Sequence, residues 1–220
     1  MRSVSRRGAV FMAIAVVSLM IATAVGAVAA SQMFGYHKIR SGLPAGLPQL
    51  TVTSSDLQAH RPIPQQFWGC TDSGISPELS WSQGPAGTQS YAVLMFDPDA
   101  PTGSGFWHWA VYDMPPTTKG LAQGAGNASG SLPPGAYGGN TDFVDTGATG
   151  GNGNYGGPCP PQGDRPHRYV FTLYALGVDN VAAAGGIPRT GTAALYSFVI
   201  NKGVGPALLG KASFTATYGR

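Results

Sequence analysis

The 220 residues are 43% hydrophobic and only 10% charged, which suits one domain with a sizeable core and excludes a disordered, highly charged tail. Without Arg2, Arg6 and Arg7 the formal net charge of +3 disappears, because ten basic residues then balance ten acids, and nucleic-acid binding is therefore not predicted. The 33 glycines and 18 prolines indicate many turns between short strands.

The first 30 residues predict an export signal. Residues 1–8 carry three arginines and no acid, residues 9–30 carry no charge, and Ala27-Val28-Ala29 supplies the small residues of a cleavage site. The mature chain would then begin near Ala30 or Ser31. The alternative is a retained membrane anchor, because 22 uncharged residues can span a bilayer. Either way the folded part is predicted to be secreted, periplasmic or at the cell surface, by the general or the twin-arginine route.

The domain is predicted to span residues 50–220, after a linker or arm of residues 31–49 that contains several glycines and prolines. A short strand is expected near Leu50–Thr53, and a turn leads into another strand that ends at Trp81. The run Tyr91–Phe96 is apolar on both faces and is therefore predicted to be a central strand.

The next predicted strand, Phe106–Tyr112, carries a histidine between two tryptophans. Simple alternation divides it into two faces, one with Trp107, Trp109 and Val111, the other with Phe106, His108, Ala110 and Tyr112.

Residues 120–165 are rich in Gly, Asn, Pro and Thr and are predicted to form loops. A strand follows over His167–Leu176, with His167 and Tyr169 on one face, and the last strand is Phe214–Tyr218. Between them, residues 192–201 predict a short amphipathic helix whose apolar face is Ala194, Leu195, Phe198 and Val199. Many strands without a βαβ rhythm favour an antiparallel, mainly β architecture.

Candidate polar groups gather at the junction of the two central strands. Asp97 and Asp99 flank one proline, and paired carboxylates can orient an imidazole, bind a metal or act in acid–base chemistry; the alternative is an Asp-Pro turn. Asp97, which directly follows the buried strand, is the expected structural acid of the two. His108 and His167 are candidates too, although only the fold could bring them together.

Motifs for other kinds of chemistry are missing. The sequence contains no zinc-binding spacing, no G-x-S-x-G elbow and no dinucleotide fingerprint. No catalytic residue, metal or cofactor is therefore predicted. Cys70 and Cys159 are the only cysteines, and in an exported chain a disulfide between them is expected, with two free thiols as the alternative.

Four motifs occur in order along the chain: D-P-D-A-P (97–101), G-S-G-F-W-H-W (103–109), G-P-C-P-P (157–161) and P-H-R-Y (166–169). Together they resemble the phosphatidylethanolamine-binding protein family, and within it the bacterial Raf-kinase-inhibitor-like branch. The stretch I-S-P-E-L-S-W (75–81) and the ending T-A-T-Y-G-R (215–220) agree with this resemblance.

The resemblance implies an antiparallel β-sandwich with a short C-terminal helix and long Gly/Pro-rich loops, and a small pocket for phosphate or a phospholipid head group. The pocket residues it implies are Asp97, Asp99, Pro101, His108, Gly157, Pro158, His167 and Tyr169. We expect His108 and His167 to converge with Asp99 on one anion.

A non-catalytic, exported anion-binding protein is the function that the resemblance favours. One alternative is a regulator that inhibits an extracytoplasmic kinase or protease by binding it. Another is a phosphoester hydrolase, and the sequence also leaves a homodimer open.

Overall fold

The computed structural model describes residues 50–70, 74–144, 146 and 154–220. The predicted leader, the arm of residues 31–49 and most of the Gly-rich stretch from 145 to 153 lie outside the described residues. None of the helices in the described ranges is long and apolar enough to cross a membrane.

The described residues form two antiparallel sheets. Their strands are β1 Val52–Thr53, β2 Leu79–Trp81, β3 Ser90–Asp97, β4 Phe106–Met114, β5 Gly120–Leu121, β6 Tyr137–Gly138, β7 His167–Leu176 and β8 Leu208–Tyr218. The larger sheet has the strand order β6-β4-β3-β7-β8, and the smaller has the order β1-β2-β5. The prediction of β3 as a central strand is confirmed, since β4 and β7 pair with its two edges.

Each face of the large sheet has its own core. On one face Met95 and Phe171 pack with residues of the small sheet such as Leu79 and Leu121. The opposite face is covered mainly by the helical segments described next. The fold is therefore an antiparallel β-sandwich with a few short helical segments, as expected.

The helical layer comprises α1 (Val181–Gly185) and α2 (Ala193–Phe198), and α2 continues as a π-helical turn, Val199–Gly203. Single 3-10 turns lie at Gln65–Phe67 and Gly205–Ala207. Asn180 and Thr192 cap α1 and α2 by accepting hydrogen bonds from backbone N–H groups.

The predicted apolar face of the C-terminal helix is wrong except at Val199. Ala193 and Tyr196 are buried instead, while Phe198 is 62% exposed. Tyr196 decides the orientation of the helix because its ring stacks on Tyr112, with centroids 4.0 Å apart.

The predicted alternation of β4 fails at a β-bulge. Met95 pairs with Trp109 and Phe96 with Trp107, so His108 is an extra residue in the strand. A bulge turns consecutive side chains to the same side of a sheet. His108 therefore lies on the same side as Trp109, and Trp107 packs with the core on the helical side.

Short or weakly apolar strands were missed or shortened by the prediction. β5 and β6 have two residues each and lie in the stretch predicted to be loop. β8 begins at Leu208 rather than Phe214, because Gly210, Lys211 and Ser213 mask its strand pattern.

Candidate functional site

A cavity of about 180 Å³ lies at one end of the large sheet. The end of β3 and the starts of β4 and β7 meet there, because Asp97 pairs with Phe106 and Phe96 with Val170. The lining residues are Gly69, Asp97, Ala100, Pro101, Thr102, Phe106, His108, Phe143, Gly157, Cys159, Pro160, Pro161, His167 and Tyr169.

Asp97 and His167 form a buried pair in this cavity. The Nδ1 of His167 lies 2.7 Å from Oδ2 of Asp97, and each residue is only 2% exposed. Since a carboxylate can only accept, Nδ1 carries the hydrogen. The other oxygen of Asp97 accepts from the backbone N–H of Asp99 at 2.8 Å. Asp97 thus fixes both the ring of His167 and the turn that follows β3.

His108 is held by the backbone of the facing loop. Its Nδ1 lies 2.9 Å from the carbonyl oxygen of Gly156, so Nδ1 donates the hydrogen. Burial lowers the pKa of His108 to about 4, although the carbonyl oxygens and the charge of Asp97 oppose the effect. The ring is therefore neutral at pH 7, and it meets Tyr169 edge-on with centroids 5.3 Å apart.

The hydroxyl of Tyr169 is buried and has no hydrogen-bond partner among the described residues. Burial, and then the charge of Asp97, raises the pKa of this phenol well above its usual range, so it remains a donor. Leaving a buried hydroxyl unpaired costs roughly 1–3 kcal/mol. A ligand that accepts a hydrogen bond from it would recover that free energy.

Asp99 lies beside the cavity rather than in its lining, which differs from the predicted convergence with the histidines. Its carboxylate accepts from Arg168 through Nε at 2.7 Å and Nη2 at 2.9 Å, and from Arg165 at 3.0 Å. The hydrogen bonds from Arg168 lower the pKa of Asp99 to about 2. Asp97, expected to be the structural acid, is the one that contacts a histidine. Asp99 instead ties the turn after β3 to β7.

The part of the cavity wall that includes Gly69, Gly157 and Cys159 is held by the predicted disulfide, which the structure confirms between Cys70 and Cys159, with Cα atoms 4.9 Å apart. Beside it, the N–H of Gly69 donates to the carbonyl of Pro158 at 3.0 Å. A Cβ on Gly69 would lie 2.5 Å from the carbonyl oxygen of Gly157, so the two chain segments need glycine to approach this closely.

Six of the eight predicted site residues line the cavity: Asp97, Pro101, His108, Gly157, His167 and Tyr169. Asp99 and Pro158 support the walls as described, and the binding role of all eight stays a prediction. Sequence reasoning missed the aromatic wall of Phe106 and Phe143; Phe106 lies in a quoted motif, whereas Phe143 has no sequence signal. Within the described ranges, no group of three or more His, Cys, Asp or Glu side chains is placed to hold a metal ion.

Comparisons with known proteins match the part of the chain that forms this fold. The sequence profile of the phosphatidylethanolamine-binding protein family matches residues 53–219. YbcL of Escherichia coli is 42% identical over 155 residues, covering 68% of this chain and 79% of YbcL. YbhB of the same organism is 40% identical over 136 residues, which is 60% of this chain and 81% of YbhB.

LppC of Mycobacterium tuberculosis, named as a candidate lipoprotein, is 39% identical over 136 residues, 61% of this chain and 59% of LppC. The crystal structure of YbcL, described as a member of the mammalian PEBP family, superposes with a TM-score of 0.66 at 35% identity. It covers 79% of this chain and 99% of YbcL. The fold and four ordered motifs thus agree with the sequence profile, and the chain belongs to the phosphatidylethanolamine-binding protein family.

Proposed function

We propose that this protein is exported and that its cavity binds a small anion, phosphate or the phosphate of a phospholipid head group, without chemical turnover. One observation carries the proposal: the unpaired hydroxyl of Tyr169 is buried in a cavity that also holds His108 and His167. A phenol and two imidazoles are groups that can donate hydrogen bonds to phosphate oxygens.

The size of the cavity supports a small ligand. Sites for drug-sized ligands measure roughly 300–1,000 Å³, whereas this cavity measures about 180 Å³. A water molecule takes about 30 Å³ of the liquid, so the cavity has room for a tetrahedral anion and a little of its substituent. The acyl chains of a phospholipid would stay outside.

His108 makes binding depend on pH. Since Nδ1 donates to Gly156, a neutral ring offers only the lone pair of Nε2 to a ligand. Either the ring gains a proton and donates, or the ligand brings a proton on one oxygen and donates to Nε2. In both cases the complex holds one proton more, so affinity falls as pH rises. If the ligand is what supplies the proton, sulfate, which is unprotonated near neutral pH, should bind more weakly than phosphate.

The lining residues support binding rather than turnover. Cys159 is in the disulfide, and the hydroxyl of Thr102 donates to the carbonyl of Gly105 at 2.6 Å. The phenol of Tyr169 has a raised pKa and is a poor nucleophile. The thiol and hydroxyl groups of the described lining therefore offer no activated nucleophile.

Export is supported by independent features. The leader has the pattern of an export signal, and a disulfide persists in oxidising compartments. The relative LppC is named as a candidate lipoprotein. These features support the proposal that the folded domain lies outside the cytoplasm.

Calorimetric titration with phosphate and phosphoethanolamine tests the binding site. His108→Ala and His167→Ala should each weaken binding by about 1–3 kcal/mol, the usual worth of a hydrogen bond to a charged group. The double variant should lose less than the sum, because both rings serve one ligand. His60→Asn is the matched control, since His60 is exposed and has a positive φ of 59° that Asn tolerates.

Two results would contradict the proposal. Unchanged affinity in both single variants would leave the histidines as core residues. Release of product from a phosphoester by the wild type, lost in the same two variants, would show a hydrolase instead.

A further inference from the structure

Only one nitrogen of His167 is left for a ligand. Nδ1 is taken by Asp97 at 2.7 Å, and the ring is 2% exposed, so a ligand in the cavity has to use Nε2. Whether Nε2 is free or already in contact with another group should therefore affect the affinity for an anion.

A second carboxylate lies against that atom. Oδ2 of Asp164 is 3.4 Å from Nε2 of His167, and the side chain of Asp164 is 42% exposed. Asp164 belongs to a turn in which its N–H donates to the carbonyl of Pro161, a cavity-lining residue. A separation of 3.4 Å is long for a hydrogen bond, so this contact is much weaker than the one with Asp97 and is easily exchanged.

The neighbouring arginines do not hold Asp164 in place. Arg165 and Arg168, on either side of His167 in sequence, both pair with Asp99. Among the described ion pairs, His167 is the partner of Asp164. The carboxylate thus lies on the same nitrogen that an anionic ligand would need, and that nitrogen donates to either of them when the ring carries a second proton.

We propose that Asp164 is a built-in competitor of the anionic ligand: it occupies Nε2 of His167 in the empty protein and swings into solvent when the anion takes that nitrogen. This inference rests on the proposed function of the cavity and adds how that site is regulated. The site becomes selective, because a ligand must offer a better acceptor than a carboxylate to displace Asp164.

Phosphate affinity of Asp164 variants tests the competitor role. Asp164→Ala removes the carboxylate and should tighten the binding of inorganic phosphate about two- to threefold, the low end of the net worth of one hydrogen bond. Asp164→Asn keeps a hydrogen-bond acceptor but removes the charge. Its affinity for phosphate should fall between those of Asp164→Ala and the wild type. Asp179→Asn is the control: it removes the same charge from an exposed position beyond the other end of β7, about 30 Å away at about 3.3 Å per residue.

A second measurement needs no ligand. In the nitrogen NMR spectrum of the empty protein, the Nε2 signal of His167 should shift in Asp164→Ala and stay in place in Asp179→Asn. An unshifted signal, or phosphate affinity that is unchanged or lower in Asp164→Ala, overturns the competitor role while wild-type binding leaves the anion site standing. Absence of phosphate binding by every form of the protein overturns the site and the competitor together.

Discussion

Burial of His108 should make the protein sensitive to mild acid. An imidazole titrates near 6.5 in the unfolded chain, whereas burial lowers the pKa of His108 in the folded protein to about 4. Between these values the unfolded chain binds more protons than the folded one, so the free energy of unfolding falls as the pH falls. The part of the free energy of unfolding that depends on neutral His108 is fully present above pH 6.5 and is lost progressively toward pH 4.

The lowered pKa sets the size of the effect. Each pKa unit corresponds to about 1.4 kcal/mol, so His108 costs about 3 kcal/mol of stability at pH 4 relative to neutral pH. A folded domain typically has a free energy of unfolding of about 5–15 kcal/mol. The loss caused by His108 is a large fraction of that total. The nearby charge of Asp97 is already included, since it raises the pKa and so reduces the loss.

His108→Asn removes the titration but keeps a side-chain N–H for the carbonyl of Gly156. Urea unfolding of the wild type and the variant, followed by tryptophan fluorescence from pH 7.5 to pH 4, measures the difference. The wild type should lose up to about 3 kcal/mol more than His108→Asn across this window, while His60→Asn should follow the wild type. Parallel curves for the wild type and His108→Asn would refute the argument that His108 is buried in its neutral form.

Two further predictions concern the cysteines and the leader. Denatured, unreduced protein should contain no free thiol, and replacing Cys70 and Cys159 by serine should lower the free energy of unfolding by about 4–5 kcal/mol, as expected for a closed loop with a sequence separation of 89; two titratable thiols in the wild type would contradict this. N-terminal sequencing of exported protein should find a chain that begins near residue 30, and recovery of intact Met1 in the membrane fraction would favour the anchor.

Burial on both faces made the central strands predictable. The strand from His167 to Leu176 was predicted with its observed bounds, because apolar residues continue along both of its faces. β8 has smaller and more polar residues over its first half, and its pairing with β7 is what makes that half a strand. Short strands such as β5 form only because they pair with neighbouring strands, and no local sequence pattern predicts them.

The orientation of His108 could not be predicted from alternation. With an aromatic residue on each side, the histidine fits either face equally well, and the extra residue becomes visible only when β4 is paired with β3. Bulges often occur next to functional sites, where they redirect a side chain. Here the bulge turns His108 into the cavity and sends Trp107 to the opposite core.

The two acids illustrate a second limit of sequence reasoning. Asp97 and Asp99 would share a face if the strand continued, but β3 ends at Asp97 and the chain turns immediately afterwards. Asp99 therefore points to Arg168 on β7 instead of the histidines. The contact of Asp97 with His167 joins residues 70 positions apart, and it follows from the pairing of β3 with β7. Family motifs identified both residues, but only the register shows which acid meets the ring.

Asp97 is a buried carboxylate next to the proposed anion site, and its negative charge has to be compatible with binding an anion. Asp97 would repel phosphate if it stood alone, but both of its oxygens already accept hydrogen bonds, from His167 and from the N–H of Asp99. When His167 carries a proton on Nε2 as well, the pair is neutral and the proton points to the ligand. Asp97 then acts by holding the ring in place. If the ligand brings the proton that His108 needs, the anion would meet a neutral pair, a neutral His108 and the phenol of Tyr169. Affinity would therefore have to come from directed hydrogen bonds in the cavity, and a single competing carboxylate at Asp164 would then be enough to tune it.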